Sequence, residues 1–331
     1  MNPPKCTEED YINFVIATPK QLTATEAARV QPESKDAPAH DAFTRLLTRL
    51  DPDAETLWTE AATQIEKASG VLVLDDSTLD KPFSKRNALA SRHWSGKHQA
   101  VVFGINLITL LWTNGERAVP FDYRIFDKDT DGLTKNDHFS DMLIEAHRRG
   151  FEPQLVCFDS WYSSIENLKL VRALGWHFLT RLKSNRKVNP DKEGLKAVSE
   201  IFISAAGRVV WLSGFGLIRV FRTVDENGNA KHWASSITEM TEEERTDFAK
   251  QSNRIEQYHR GIKQFCLIER SQARRRRPWL NHILLCLRAF LRLECHCYRS
   301  KISWHEAKVG IIRNAIRVYL ANPTYSLMPT A

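Results

Sequence analysis

An α/β fold built on a mixed sheet is predicted, preceded by an N-terminal helical domain, interrupted by a β-rich insertion and closed by C-terminal helices. Three observations predict it. Two short apolar runs each end in acid: Val71-Leu72-Val73-Leu74 before Asp75-Asp76, and Leu155-Val156-Cys157-Phe158 before Asp159. Both read as buried strands. Longer β-type runs with a hairpin signal lie between them. Helical apolar spacing precedes Gly70 and returns from Glu242 onward.

The first seventy residues read as short helices. Thr7-Glu8-Glu9-Asp10 has the form of a capping box, followed by apolar positions at Tyr11, Phe14 and Val15. Residues 23–30 form one amphipathic stretch, and residues 39–50, with Phe43, Leu46 and Leu47, form another. Two helices joined by a Pro-containing link suit either a helix-turn-helix, with Arg45 and Arg49 on its exposed face, or a plain helical bundle. A third stretch covers residues 53–68. Residues 1–69 are therefore assigned as a helical, candidate DNA-binding domain.

From Gly70 the pattern changes. The strand at residues 71–74 is followed by strands at 100–112 and 117–126, with Thr113-Asn114-Gly115 as the hairpin signal. A helix over 137–149, the strand at 155–158, a helix over 163–174 and a strand over 176–182 complete the order β-β-β-α-β-α-β. That order is what a ribonuclease-H-like core presents. Residues 70–183 are its first part. Residues 184–250 break the alternation with β-type runs at 209–212 and 217–224 and the turn Glu226-Asn227-Gly228-Asn229, which marks the insertion. Residues 251–331 return to helix.

Composition narrows the function classes. A chain of 331 residues with 42% hydrophobic content supports a substantial core. No apolar run approaches the ~18 residues a bilayer-spanning helix needs. The N-terminus lacks the apolar segment of a secretory signal, so a cytoplasmic, nucleoid-associated protein is expected. Six cysteines without a Cys-x-x-Cys pair read as reduced thiols, and Cys295-His296-Cys297 has no second ligand pair for zinc. The net charge of +7 is concentrated: residues 254–301 hold twelve Lys/Arg against three Asp/Glu. The run Arg274-Arg275-Arg276-Arg277 before Pro278-Trp279 points to a polyanion more than to a solvated helix face.

Carboxylates at the ends of two core strands and a third on a later helix can converge on one site. Such an oxygen cluster suits divalent ions, since Mg²⁺ takes a few carboxylates, waters and substrate phosphate oxygens. Glu256 is the helical acid, in Asn253-Arg254-Ile255-Glu256-Gln257-Tyr258-His259-Arg260-Gly261-Ile262-Lys263. Offsets of three, four and seven put His259, Arg260 and Lys263 on its face.

These residues resemble those of the bacterial cut-and-paste insertion-sequence transposases, in the DDE branch with a β insertion before its glutamate. Leu74-Asp75-Asp76-Ser77-Thr78, Cys157-Phe158-Asp159-Ser160-Trp161-Tyr162, and Arg254-Ile255-Glu256 with Lys263 carry the likeness, which covers nearly the whole chain. The branch sets its metal-binding Asp just before Ser/Thr-Thr, which matches Asp76 and directs Asp75 elsewhere. The resemblance implies two Mg²⁺ ions, with Mn²⁺ as a substitute, held by Asp76, Asp159 and Glu256. It implies cleavage at transposon ends and strand transfer into target DNA by a homodimer assembled on terminal inverted repeats. Arg254, His259, Arg260, Lys263, Arg274 to Arg277, Arg45 and Arg49 are the expected DNA contacts. Trp94, Trp161 and Tyr162 suit either base contact or core packing. One departure stands out: the branch's Tyr-x2-Arg-x3-Glu-x6-Lys pattern has Ala249 and Ser252 at its Tyr and Arg positions. A nuclease without strand transfer, or a catalytically inactive DNA-binding regulator, are the competing expectations.

Overall fold

The computed structural model describes residues 4–84, 86–95 and 99–325. In chain order the first elements are α1 (Glu8–Ala17), α2 (Ala24–Arg29), α3 (His40–Arg49), α4 (Ala54–Ala62), β1 (Val71–Asp80), β2 (Ser91–Ser95), β3 (Ala100–Thr113) and β4 (Val119–Phe126). Then come α5 (Lys128–Asp131), α6 (Lys135–Arg148), β5 (Leu155–Phe158), α7 (Ile165–Ala173), β6 (Phe178–Leu182), β7 (Lys187–Val188) and β8 (Lys196–Ala197). The last are β9 (Arg208–Leu212), β10 (Gly216–Val224), β11 (Ala230–Ser235), α8 (Glu242–Ser252), α9 (Arg254–Gln264), α10 (Arg276–Ser300) and α11 (Trp304–Ala321). They fall into two compact units: Met1–Asp53 with Lys85–Ala88 and Arg260–Ala331, and Ala54–Ser84 with Leu89–His259.

The second unit is built on one mixed sheet of order β2-β3-β1-β5-β6-β11-β10-β9, with β4 beside β2 on the outer edge of β3. β1, β5 and β6 are parallel and the other pairings antiparallel. The strands β4-β3-β1-β5-β6 form the predicted ribonuclease-H-like core. The insertion continues that sheet, because β11 pairs with β6 from Ser235↔Leu179 to His232↔Leu182 and so covers an edge that would otherwise be exposed.

β1 runs further than its apolar tetrad suggests. Its ladder with β3 holds from Val71↔Thr113 to Asp80↔Gly104, whereas its parallel ladder with β5 stops at Leu74↔Phe158. The acids Asp75 and Asp76 therefore lie mid-strand, where β1 loses one neighbour. Sequence reading also missed β2, whose Ser-Arg-His-Trp-Ser lacks apolar alternation, and extended the third helix past Ala62. That helix, α4, packs on β4 and buries Leu57.

The first unit is helical. α1 and α3 pack on α10, which buries Trp279, Ile283, Leu287 and Phe290. Ion pairs Glu8–Arg288 and Glu9–Arg292 and a Tyr11 hydroxyl to His282 Nδ1 contact at 2.9 Å tie α1 to α10. The buried Lys308 ammonium donates to the Val15 and Phe265 carbonyls at 3.0 and 2.9 Å. Between α2 and α3 run residues 30–39, far longer than the 3–4-residue turn of a helix-turn-helix. With Phe43 and Leu46 fully buried on α3, this is a helical bundle.

Gly104 shows how tightly β1 and β3 approach. A Cβ there would meet the Leu79 carbonyl oxygen at 2.5 Å and Thr78 Cγ2 at 2.7 Å. Backbone cannot yield as a flexible side chain does. Gly104→Ala is expected to lower stability by about 1–3 kcal/mol, read as a reduced urea midpoint at unchanged m-value.

Candidate active site

The parallel ladder sets the site. Because Leu74 lies opposite Phe158, the next residues, Asp75 and Asp159, leave the ladder abreast. In-register residues of parallel strands share a face, and Asp76 takes the other. Asp75, Asp159 and Glu256 accordingly line one cleft, with Ser252, Asn253, Ile255, Arg181 and Trp233. Its volume of about 50 Å³ suits ions and water.

On the Asp75 face lie residues of the C-terminal end of this unit. α8 packs against β1, β5 and β6, and α9 contributes Glu256, Tyr258 and His259. Tyr258 is buried with its hydroxyl 3.5 Å from Thr109 Oγ1, the residue paired with Asp75, and His259 Nδ1 stands 4.0 Å from Asp75 Oδ2. On the opposite face Asp76 is fully engaged. Its Oδ2 accepts from Asn106 Nδ2 at 2.7 Å and Lys135 Nζ at 2.8 Å, and its Oδ1 from the Tyr162 hydroxyl at 3.0 Å.

The electrostatics of the two aspartates diverge accordingly. Burial pushes the Asp75 carboxyl well above its ordinary value, and the charges of Asp76, Asp159 and Glu256 push it further. Burial acts on Asp76 too, but Lys135 and the donors of Asn106 and Tyr162 outweigh it and hold that carboxyl below the usual range. Asp159 is raised, first by burial and then by Asp76, against the Trp161 N–H that donates to Oδ1 at 2.8 Å.

The cluster thus holds hard oxygen donors in mutual repulsion, which a divalent cation relieves. It is not drawn tight: among the described residues no three of the His, Cys, Asp and Glu side chains stand close enough to coordinate one ion. The donor chemistry fits a divalent cation.

The expected DNA contacts are scattered. Arg254 donates to Gln257 Oε1 at 2.6 Å, in the unit that holds the cleft. Arg260 and Lys263 belong to the helical unit, where Lys263 pairs with Glu269 at 3.2 Å. Arg45 pairs with Asp41 on α3, and Arg49 donates to the Cys6 carbonyl. Arg274 and Arg275 are exposed, while Arg277 caps the end of α3 by donating to the Arg49 and Leu50 carbonyls and to Asp51. Tyr162 is buried, whereas Trp94 and Trp161 are exposed.

Three partners were missed in the sequence. Arg181 brings a cation to the cleft, its guanidinium 5.3 Å from the Trp233 ring centroid and otherwise without a hydrogen bond or ion pair among the described residues. It interrupts the apolar strand Phe178–Leu182, as Asn106 interrupts β3, and a polar residue inside a buried run was the available signal. Lys135 had none.

This sheet order, with acids on adjacent parallel strands and on a later helix, defines a ribonuclease-H-like protein. The family described as "Transposase DDE domain" matches residues 66–292, so the chain belongs to that family and is a DNA transposase. The fold is similar to that of a solved piggyBac transposase in a synaptic complex with hairpin DNA, at TM-score 0.51 and 12% identity over 98% of this chain and 76% of the other. No curated protein matches the chain. Among the described residues no helix is long and apolar enough to cross a membrane.

The charge on Asp75 opposes folding, and the sign follows from its raised value. Below the ordinary carboxyl value of 3.8 both states are protonated and no penalty exists. As pH rises above it the unfolded chain releases its proton first, so stability falls. Asp75→Asn is therefore expected to stabilise the metal-free protein at pH 7, with the gain vanishing as the pH falls below that value. Melting curves in chelator across pH test this, and a destabilised variant would contradict it.

Proposed function

We propose that the chain cuts DNA at the ends of its own mobile element and joins them to target DNA, with Asp75, Asp159 and Glu256 holding two divalent ions. Mg²⁺ is the natural choice and Mn²⁺ its substitute. The observation that carries the reading is the single cleft lined by these three carboxylates, in which burial and mutual charge push the Asp75 carboxyl well above its ordinary value. A pair of bound ions would supply activation of the attacking oxygen and stabilisation of the leaving one in both phosphoryl transfers. Arg181, beside the same cleft, is suited to the scissile phosphate. Water attacks a terminal phosphodiester first, and the freed 3′-hydroxyl then attacks the target.

A second reading keeps Asp76, the position that the motif favours, as the strand ligand with Asp159 and Glu256. It is supported by the charge of Asp76 acting on Asp159, and it requires Lys135 to release the Asp76 carboxylate. The remaining assignments extend the reading. Joining two ends calls for two sites, hence a homodimer on terminal inverted repeats, and the substrate sets the place of action on the nucleoid. Arg254, His259, Arg260, Lys263, Arg45 and Arg49 are proposed as further DNA contacts. Gel assays with labelled ends separate this activity from cutting without joining, and from binding alone.

Asp159→Ala is expected to abolish metal-dependent cleavage while DNA binding persists. The same loss, at least a hundredfold by comparison with what even outer partners of metal ligands contribute, is expected of Asp75→Asn and Glu256→Gln. A cleaving Asp75→Asn beside an inactive, folded Asp76→Asn would transfer the role to Asp76.

The arginine run separates into two roles. Replacing Arg274 and Arg275 by Ala is expected to flatten the log-affinity versus log-salt slope by up to about 1.8, at about 0.9 per lost phosphate contact. Arg277→Ala instead is expected to lower the melting temperature, since it removes the cap on α3. An unchanged slope in a folded double variant would put the run away from DNA.

A further inference from the structure

We propose that Trp161, with Lys135 and Lys183, is a stacking platform for an unpaired nucleotide of the strand that enters the carboxylate cleft. The inference rests on the DNA-cleaving reading above and adds to it the form in which the DNA is held.

The turn after Asp159 sends two consecutive aromatic side chains in opposite directions. Tyr162 is wholly buried, stacked on Phe139 at 5.5 Å and bonded to Asp76. Trp161 leaves 58% of its surface in solvent. Its backbone N–H is fixed to Asp159 Oδ1, so the exposed indole sits at a set distance from a cleft carboxylate.

Its neighbours are cations. Lys135 Nζ lies 5.7 Å from the Trp161 ring centroid and Lys183 Nζ 5.6 Å, both within the range of cation–π attraction. Lys135 is also held by Asp76, whereas the exposed Lys183 has no other side-chain partner among the described residues. A flat π-surface with a free ammonium beside it matches a ligand that is both planar and anionic. A nucleotide has that chemistry, through its base and its phosphate.

The base must be unpaired. Within a duplex both faces of each base are already stacked, so an indole can engage only a base that has left the helix. A scissile phosphate held at the cleft carboxylates would leave the adjoining nucleoside beside the turn that carries Trp161. Trp161 is the exposed aromatic side chain nearest in sequence to a cleft acid.

The experiment uses the full chain with duplexes bearing the inverted repeats that flank its coding region. 2-Aminopurine is placed at successive positions around the cleavage point, and binding is followed in chelator. Wild type is expected to change the fluorescence at one or two positions next to that point. Trp161→Ala should lose the change and bind a frayed or single-stranded end about tenfold more weakly, the scale of one base–aromatic stack. Its affinity for fully paired internal duplex should move less than about twofold. Trp161→Phe should recover part of the signal, and Lys183→Ala should weaken binding without abolishing it.

Retention of signal and affinity in Trp161→Ala, beside a wild type that cuts, overturns the platform alone. Equal weakening toward paired and unpaired DNA also overturns it. A wild type that neither binds nor cuts the ends overturns the cleavage reading and the platform with it.

Discussion

The rest of the site depends on one register: Leu74 of β1 opposite Phe158 of β5 in a parallel ladder. It brings two aspartates abreast at the point where both leave the apolar core, and no rotation of side chains alone would do this for residues so far apart in sequence. Parallel strands need a crossover, here α6 between β4 and β5, to close that distance. The capping box of Thr134 and Asp137 starts this helix, and Gly150, at φ 81°, turns the chain after it. Thus the geometry of two acids is set by local signals nine or more residues away from either.

Adjacent aspartates with opposite fates follow from strand alternation. The face toward α6 offers an ammonium, an amide and a phenol, and these hold the Asp76 carboxyl below the usual range. The face toward α8 and α9 offers further acids, and Asp75 meets burial first and repulsion after it. A protein seldom keeps a buried carboxyl in such company for stability, because each repelled charge costs folding free energy. Such a site trades stability for readiness to bind a cation.

The sheet core and its chain order were legible because apolar runs closed by acid are strong, local signals. What failed was anything decided by pairing. β2 carries no pattern of its own and exists because β3 is long enough to take it. The extension of β1 to Asp80 likewise reflects its partner's length, not its composition. Alternation in sequence told that Asp75 and Asp76 part company; it held no information on which face would be lined with Asp159. The partners Lys135 and Asn106 lie 59 and 30 residues from Asp76, beyond any motif.

The same limit applies to charge. The stretch from Arg254 to Lys301 carries twelve cations in sequence, but the helical unit consumes several of them. Arg288 and Arg292 hold α1 through Glu8 and Glu9, Arg277 caps α3, and Lys263 pairs with Glu269. Charge counted along the chain therefore overstates the surface offered to a polyanion. Besides Arg260, Arg270, Arg299 and Lys301, what remains exposed includes Arg274 and Arg275 ahead of α10, at a helix start whose own N–H groups already favour phosphate. A phosphate there would meet two exposed guanidinium groups and a helix terminus together, whereas each cation spent on a bundle carboxylate would have to break an ion pair first.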